Sequence, residues 1–155
     1  MRHQTVRTTV RRISWLLLTA ALAAPCWAAL GDLEASVSSD SAKLKASSRI
    51  ESRPSFTIHE MQTPAGTVVR EFVAASGVVF AVSWRGPLKP DLTLLLGRYF
   101  GAYASAPRSP GATRSRLMID QPDLIVHAGG RVRAFAGIAL VPQLLPANVT
   151  EEDLR

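Results

Sequence analysis

Three residues of this chain have the types a hydrolytic site uses: His59, Glu71 and Ser83. A serine becomes a nucleophile when an imidazole takes its proton and a carboxylate orients that imidazole. The strand register argued below brings the three to one face of a sheet. Against that chemistry, Ser83 lies mid-strand, with no nucleophile elbow and no evident oxyanion hole. The competing account is a solvated His–Glu pair, worth little on an exposed face. A metal centre needs three or four converging His, Cys, Asp or Glu side chains. His59 and His127 have no ligand-like spacing, and Cys26 falls in a segment expected to be removed. No metal and no cofactor is expected.

Recognition is a second kind of chemistry. Trp84 and Arg85 precede the corner Gly86-Pro87. An exposed Trp beside an Arg binds sugars or peptides by stacking, whereas a Trp on the apolar parity of its strand closes the core. Glu60 and Arg70 form either a rim ion pair with stems reaching water or a polar-ligand cleft. Arg108, Arg114, Arg116, Arg131 and Arg133 make the region after the leucine-rich stretch basic. Such a face suits an envelope protein or an anionic envelope surface. There is no phosphate-cradling Gly loop and no nucleic-acid motif. The candidate binding residues are therefore Trp84, Arg85, Arg131 and Arg133, and no residue is assigned a catalytic role.

The elements that position these residues follow from periodicity. Arg2, Arg7, Arg11 and Arg12 precede ISWLLLTAALAA, and Cys26-Trp27-Ala28 gives a small-x-small site. This is the layout of a secretory signal, expected to be cut between Ala28 and Ala29. The apolar run falls short of the roughly 20 residues of a membrane span. An uncleaved anchor and lipidation at Cys26 are the alternatives. The chain has 18 basic and 12 acidic residues, net +6; without those four arginines 14 basic residues remain, so much of the positive charge belongs to the leader. With no cysteine after residue 28, the exported domain relies on its core rather than on disulfides.

Residues 29–55 read as a polar arm, with Ser39 or Asp40 capping a short helix through Lys45. The segments FTIHEMQ, TVVREFV and VVFAVSW read as strands joined by TPAG and AASG, turns whose fourth residue is a bulge glycine. Closed that way, Ile58 faces Phe72, His59 faces Glu71, and Glu60 faces Arg70. In the second hairpin Phe72 faces Phe80 and Val68 faces Trp84. One face then collects Phe56, Ile58, Phe72, Phe80, Val82 and Trp84. Pro90 and Asp91 start a helix whose stripe is Leu92, Leu95, Leu96, Tyr99, Phe100 and Tyr103. Thr93, Gly97 and Gly101 make a small-residue line open to another backbone. After a Pro/Gly/Ser loop, RLMID, DLIVHA and RVRAFAGIALV read as strands, with Gly129-Gly130 as a hairpin turn.

The expected fold is α+β: an antiparallel sheet of five or six strands with one amphipathic helix packed on one face. The expected division is 1–28 signal peptide, 29–55 arm, 56–142 a single domain, and 143–155 a C-terminal tail.

The run REFVAASGVVFAVSWRGPLKPDLTLLLGRYF resembles the core of an exported bacterial family, domain of unknown function 2844. Ala29-Leu30-Gly31, Gly66-Thr67, Gly130-Arg131 and Ala134-Phe135 with Gly137 add to the likeness. The resemblance implies a small exported, periplasmic protein and carries over no catalytic residue. Together these readings favour a non-enzymatic binding or accessory module, periplasmic or secreted. The alternatives are a hydrolase using His59, Glu71 and Ser83, and a module whose sheet edge accepts another chain's strand.

Overall fold

The computed structural model describes residues 29–34, 37, 44, 46–113 and 115–154. Cys26, Ala28, Ser39, Asp40, Lys45 and Arg114 lie outside them, as does the proposed leader. The strands are β1 (Ser47–Ser52), β2 (Phe56–Gln62), β3 (Val68–Ala74), β4 (Val79–Gly86), β5 (Arg116–Asp120), β6 (Ile125–Arg131) and β7 (Ala134–Leu140). Between β4 and β5 run α1 (Leu92–Leu96), a 3-10 turn (Gly97–Tyr99) and α2 (Phe100–Ser105). Among the described residues these strands form one seven-stranded antiparallel sheet in the order β1-β2-β3-β4-β7-β6-β5.

The α+β class holds, but the count of five or six strands is corrected to seven. The added strand is β1, every residue of which is exposed. With neither face buried, SSRIES carries no apolar alternation for periodicity to detect. The C-terminal stretch also folds back on the sheet, since Val149 and Leu154 are buried.

Both expected turns form. Thr63 N–H donates to Thr67 C=O at 2.9 Å and Ala74 N–H to Val78 C=O at 2.9 Å, with Gly66 at φ 83° and Gly77 at φ 79°. The β2–β3 register is as expected, with Ile58, His59 and Glu60 opposite Phe72, Glu71 and Arg70. The β3–β4 register is not. A bulge between Phe72 and Val73 makes Val73 face Val79 while Phe72 faces Ala81, so Phe80 is the extra residue. Beyond it Trp84 pairs with Val69 and Ser83 with Arg70. A one-residue slip exchanges the faces of all later side chains.

The expected single apolar face therefore divides in two. Val82 and Trp84 join Met61, Val69, Val73, Leu95 and Leu96 under the helical layer. Ile58, Phe72, Phe80, Ile138 and Leu140 pack on the other side with Val149 and Leu154. Phe56 meets Phe72 and Phe80 edge-on, with ring centroids 5.9 Å apart in both pairs.

Asp91 caps α1: its Oδ1 accepts from Thr93 N–H at 2.9 Å and from Leu94 N–H at 3.4 Å. Gly97 sits at φ 46° and breaks the helix. A Cβ there would lie 2.1 Å from the Ala29 Cβ, so of the small-residue line Gly97 admits another backbone, while Gly101 has nothing within 4 Å. The backbone it admits is 29–34. Leu30 N–H donates to Leu95 C=O at 3.1 Å and Gly31 N–H to Val79 C=O at 2.7 Å, and Ala29 and Leu30 are fully buried.

A further correction concerns the last hairpin. Gly129 and Gly130 lie inside β6, and the two-residue turn is Val132-Arg133, closed by Arg131 opposite Ala134. Gly130 is needed within the strand, because a Cβ would fall 2.3 Å from the Ala134 carbonyl oxygen.

Candidate functional site

The bulge decides the fate of the hydrolase reading. His59 and Glu71 lie on the helix-facing side and are buried, whereas Ser83 shares the opposite side with Arg70. The sheet separates the serine from the imidazole, so no proton relay joins them. His59 Nε2 instead meets the Glu34 carboxylate at 2.9 Å. The expectation of an exposed His–Glu face is likewise corrected, with His59 8% and Glu71 0% exposed. Among the described residues no group of His, Cys, Asp and Glu is arranged to hold a metal ion.

The recognition residues separate by the same parity. Trp84 is 3% exposed and packs against Gly137, where a Cβ would meet its Cζ2 at 2.3 Å. It is a core residue beneath the helical layer. Gly86 closes the corner against Thr67, whose hydroxyl donates to the Leu88 carbonyl at 2.9 Å. Arg85 is exposed on the face turned away from the helices. Arg131 is exposed at the end of β6, and Arg133 occupies the adjoining turn at φ 65°.

That second face carries a groove of about 770 Å³ across β4, β7, β6 and β5. Register explains its shape. One row across the sheet reads Arg85, Ala136, Gly129, Arg116. The next reads Glu60, Arg70, Ser83, Ile138, His127, Met118. Ala136 and Gly129 leave a shallow floor between two exposed arginines. Three strand spacings of about 4.8 Å put the Arg85 and Arg116 backbones roughly 14 Å apart. Arg70 is already engaged by Glu60 at 2.7 Å. Arg85 and Arg116 face the groove together with the carboxylates of Glu60 and Glu151.

His127 closes one side. Its Nε2 meets Asp120 at 2.7 Å and its Nδ1 meets Glu151 at 3.2 Å. Partial burial opposes charging the ring, but hydrogen bonds to the two carboxylates prevail and raise its pKa above 6.5. The same contact, with help from the Ser109 hydroxyl, lowers the Asp120 pKa below 3.8. The bridge ties the 3-10 turn Glu151–Leu154, a wall of the groove, to β5 and β6.

Sequence reasoning had the arginines of this face but not the groove. Its missing members, Gly129, Ala136 and His127, acquire meaning only when β7 inserts beside β4. The available signal was the set of small residues Ala128-Gly129-Gly130, Ala134, Ala136 and Gly137.

Neither the curated proteins nor the solved structures yield a match to this chain. A family described as protein of unknown function (DUF2844) matches over residues 26–154, a span that includes every strand, the helical layer and the groove. The chain belongs to the DUF2844 family.

Proposed function

We propose that this protein is an exported, non-enzymatic binding module, periplasmic or secreted, whose groove takes an anionic ligand with a narrow body. The observation that carries this reading is the row Arg85–Ala136–Gly129–Arg116. It sets two exposed guanidinium groups on either side of a floor without bulk. Arginine suits this role because its planar fork matches carboxylate and phosphate geometry. Arg131, on the same face at the end of β6, extends the positive field. Export rests on the basic, apolar and small-residue succession before Ala29.

One experiment tests both parts. The protein is recovered from the periplasm or medium of cells expressing the full chain, and its mass is measured. It is then titrated, by backbone amide NMR, with azelate, a linear dicarboxylate. A chain beginning at Ala29 is expected, with shifts concentrated at Ser83, Arg85, Gly129 and Ala136. Reversing both arginines (Arg85→Glu with Arg116→Glu) should weaken binding at least about tenfold, the loss of one charge-assisted contact of about 1.5–3 kcal/mol. An intact Met1 refutes export. Shifts elsewhere, or an affinity indifferent to the reversal, refute the groove.

A further inference from the structure

The two edges of the sheet are finished differently. The outer edge of β5 is covered by the preceding loop: Ser109 N–H donates to Met118 C=O at 2.8 Å, and Thr113 N–H to Arg116 C=O at 2.7 Å. The outer edge of β1 has no such cover among the described residues. Its hydrogen-bonding phase follows from the turn beside it. Arg53 N–H donates to Phe56 C=O at 2.8 Å, which makes Arg53–Phe56 a bonded pair. Because bonding alternates along an antiparallel pair, Glu51, Arg49 and Ser47 bond to β2. The N–H and C=O groups of Ser48, Ile50 and Ser52 therefore point outward. A row of open donors and acceptors is a template for another strand.

The sequence of that edge is complementary to itself. We propose that β1 pairs with β1 of a second copy, antiparallel about a two-fold axis at Ile50, joining two sheets into one. In this register Ile50 faces Ile50 of the other copy, Arg49 faces Glu51, and Ser48 faces Ser52. The outward-pointing residues then form the bonded pairs, about six backbone hydrogen bonds in all. Arg49 and Glu51 fall in the non-bonded positions, where opposed side chains approach most closely.

Neighbouring registers fail on charge. Moving the axis to Arg49 opposes two arginines, and moving it to Glu51 opposes two glutamates; like charges directly opposed are destabilising. Arg49 makes no ion pair among the described residues, and Ile50 is a large apolar side chain left 63% exposed. Glu51 contacts Arg53 of its own chain at 2.6 Å with both side chains about half exposed, so it remains able to turn to a partner. Pairing at this edge leaves the groove untouched and does not depend on its ligand.

Sedimentation equilibrium over a concentration series, on protein recovered from cells expressing the full chain, provides the test. Wild type should show a monomer–dimer equilibrium. Arg49→Glu alone opposes two glutamates and Glu51→Arg alone opposes two arginines, so each should dimerise at least about tenfold more weakly. An equimolar mixture of the two variants should regain dimers, because each then meets its opposite; that recovery also shows both are folded. Ile50→Pro, which deletes an outward N–H and leaves the β1–β2 ladder intact, should abolish the dimer. Independently of any substitution, amide exchange at Ser48, Ile50 and Ser52 should slow as concentration rises. A monomer at all concentrations, a dimer unaffected by these changes, or exchange at those amides independent of concentration would each overturn the proposal.

Discussion

Gly137→Ala isolates the contact on which the helix-facing core turns. An added Cβ would lie 2.3 Å from Trp84 Cζ2, 2.6 Å from Cε2 and 2.8 Å from the Ala128 Cβ. Carbon atoms in contact rest at about 3.5–4.0 Å, so the ring must retreat by over about 1 Å. Trp84 is 3% exposed, with Val69 opposite it on β3, and has little room to do so. Overpacking of this kind costs about 1–3 kcal/mol. Replacing a strand glycine by alanine returns about 0.5–1 kcal/mol of chain entropy. A 2.3 Å approach to a buried ring belongs in the upper part of that range, about 2–3 kcal/mol, so the net expectation is a loss of about 1–2.5 kcal/mol, read from urea unfolding by circular dichroism. Gly101→Ala is the matched control: nothing lies within 4 Å, and helix propensity predicts a gain of up to about 1 kcal/mol. In a Trp84→Leu background the contacts with the ring disappear and only the 2.8 Å approach to the Ala128 Cβ remains, offset by the returned chain entropy, so Gly137→Ala should become nearly neutral, a coupling of about 1–2.5 kcal/mol. A loss below about 0.5 kcal/mol in the wild-type background, or strict additivity with Trp84→Leu, would refute the placement of Trp84 and the register behind it.

The remaining expectations are simpler. Asp91→Ala removes an N-cap that holds two amides and should lower stability by about 1 kcal/mol, seen as a lower denaturation midpoint. The His127 bridge makes stability depend on pH in a defined window. The raised pKa of His127 gives a contribution complete below pH 6.5 and lost as pH rises through its folded value; the lowered pKa of Asp120 gives one present above 3.8 and lost as pH falls through its folded value. Solvent screening holds the effect below about 1 kcal/mol. Melting temperatures of wild type and His127→Gln should therefore differ most between these limits and converge as pH rises through the folded His127 value. A difference that is flat with pH would contradict the bridge.

Local chemistry was legible. TPAG and AASG specified their turns, because a bulge glycine at a left-handed position leaves few other closures. The β2–β3 register followed from the first turn, and Glu60 duly meets Arg70. Asp91 announced the helix start, and of the expected stripe Leu95 and Leu96 are buried while Leu92, Tyr99, Phe100 and Tyr103 are partly so; Leu94, outside the stripe, is buried as well because Gly97 breaks the helix. The N-terminal Ala29-Leu30-Gly31 was legible only as a resemblance; its physical role is to fill the gap that Gly97 leaves open.

Less visible was anything that depends on a distant neighbour. The run from Val78 to Val82 is apolar at every position, so alternation could not reveal the bulge at Phe80. That single extra residue moved Trp84 under the helices and Ser83 to the other side, undoing a catalytic reading and leaving a binding one. β1 gave no periodic signal because it is an edge exposed on both faces.

Sequence by itself determined turn chemistry, the helix cap, the α+β class and the family. Tertiary structure alone decided which face each side chain occupies and how the rows align across β4, β7, β6 and β5. The physical reason is that turns and caps close through bonds among adjacent residues, whereas facing and row order depend on a register summed over strands far apart in the chain, where one inserted residue reverses every later side chain.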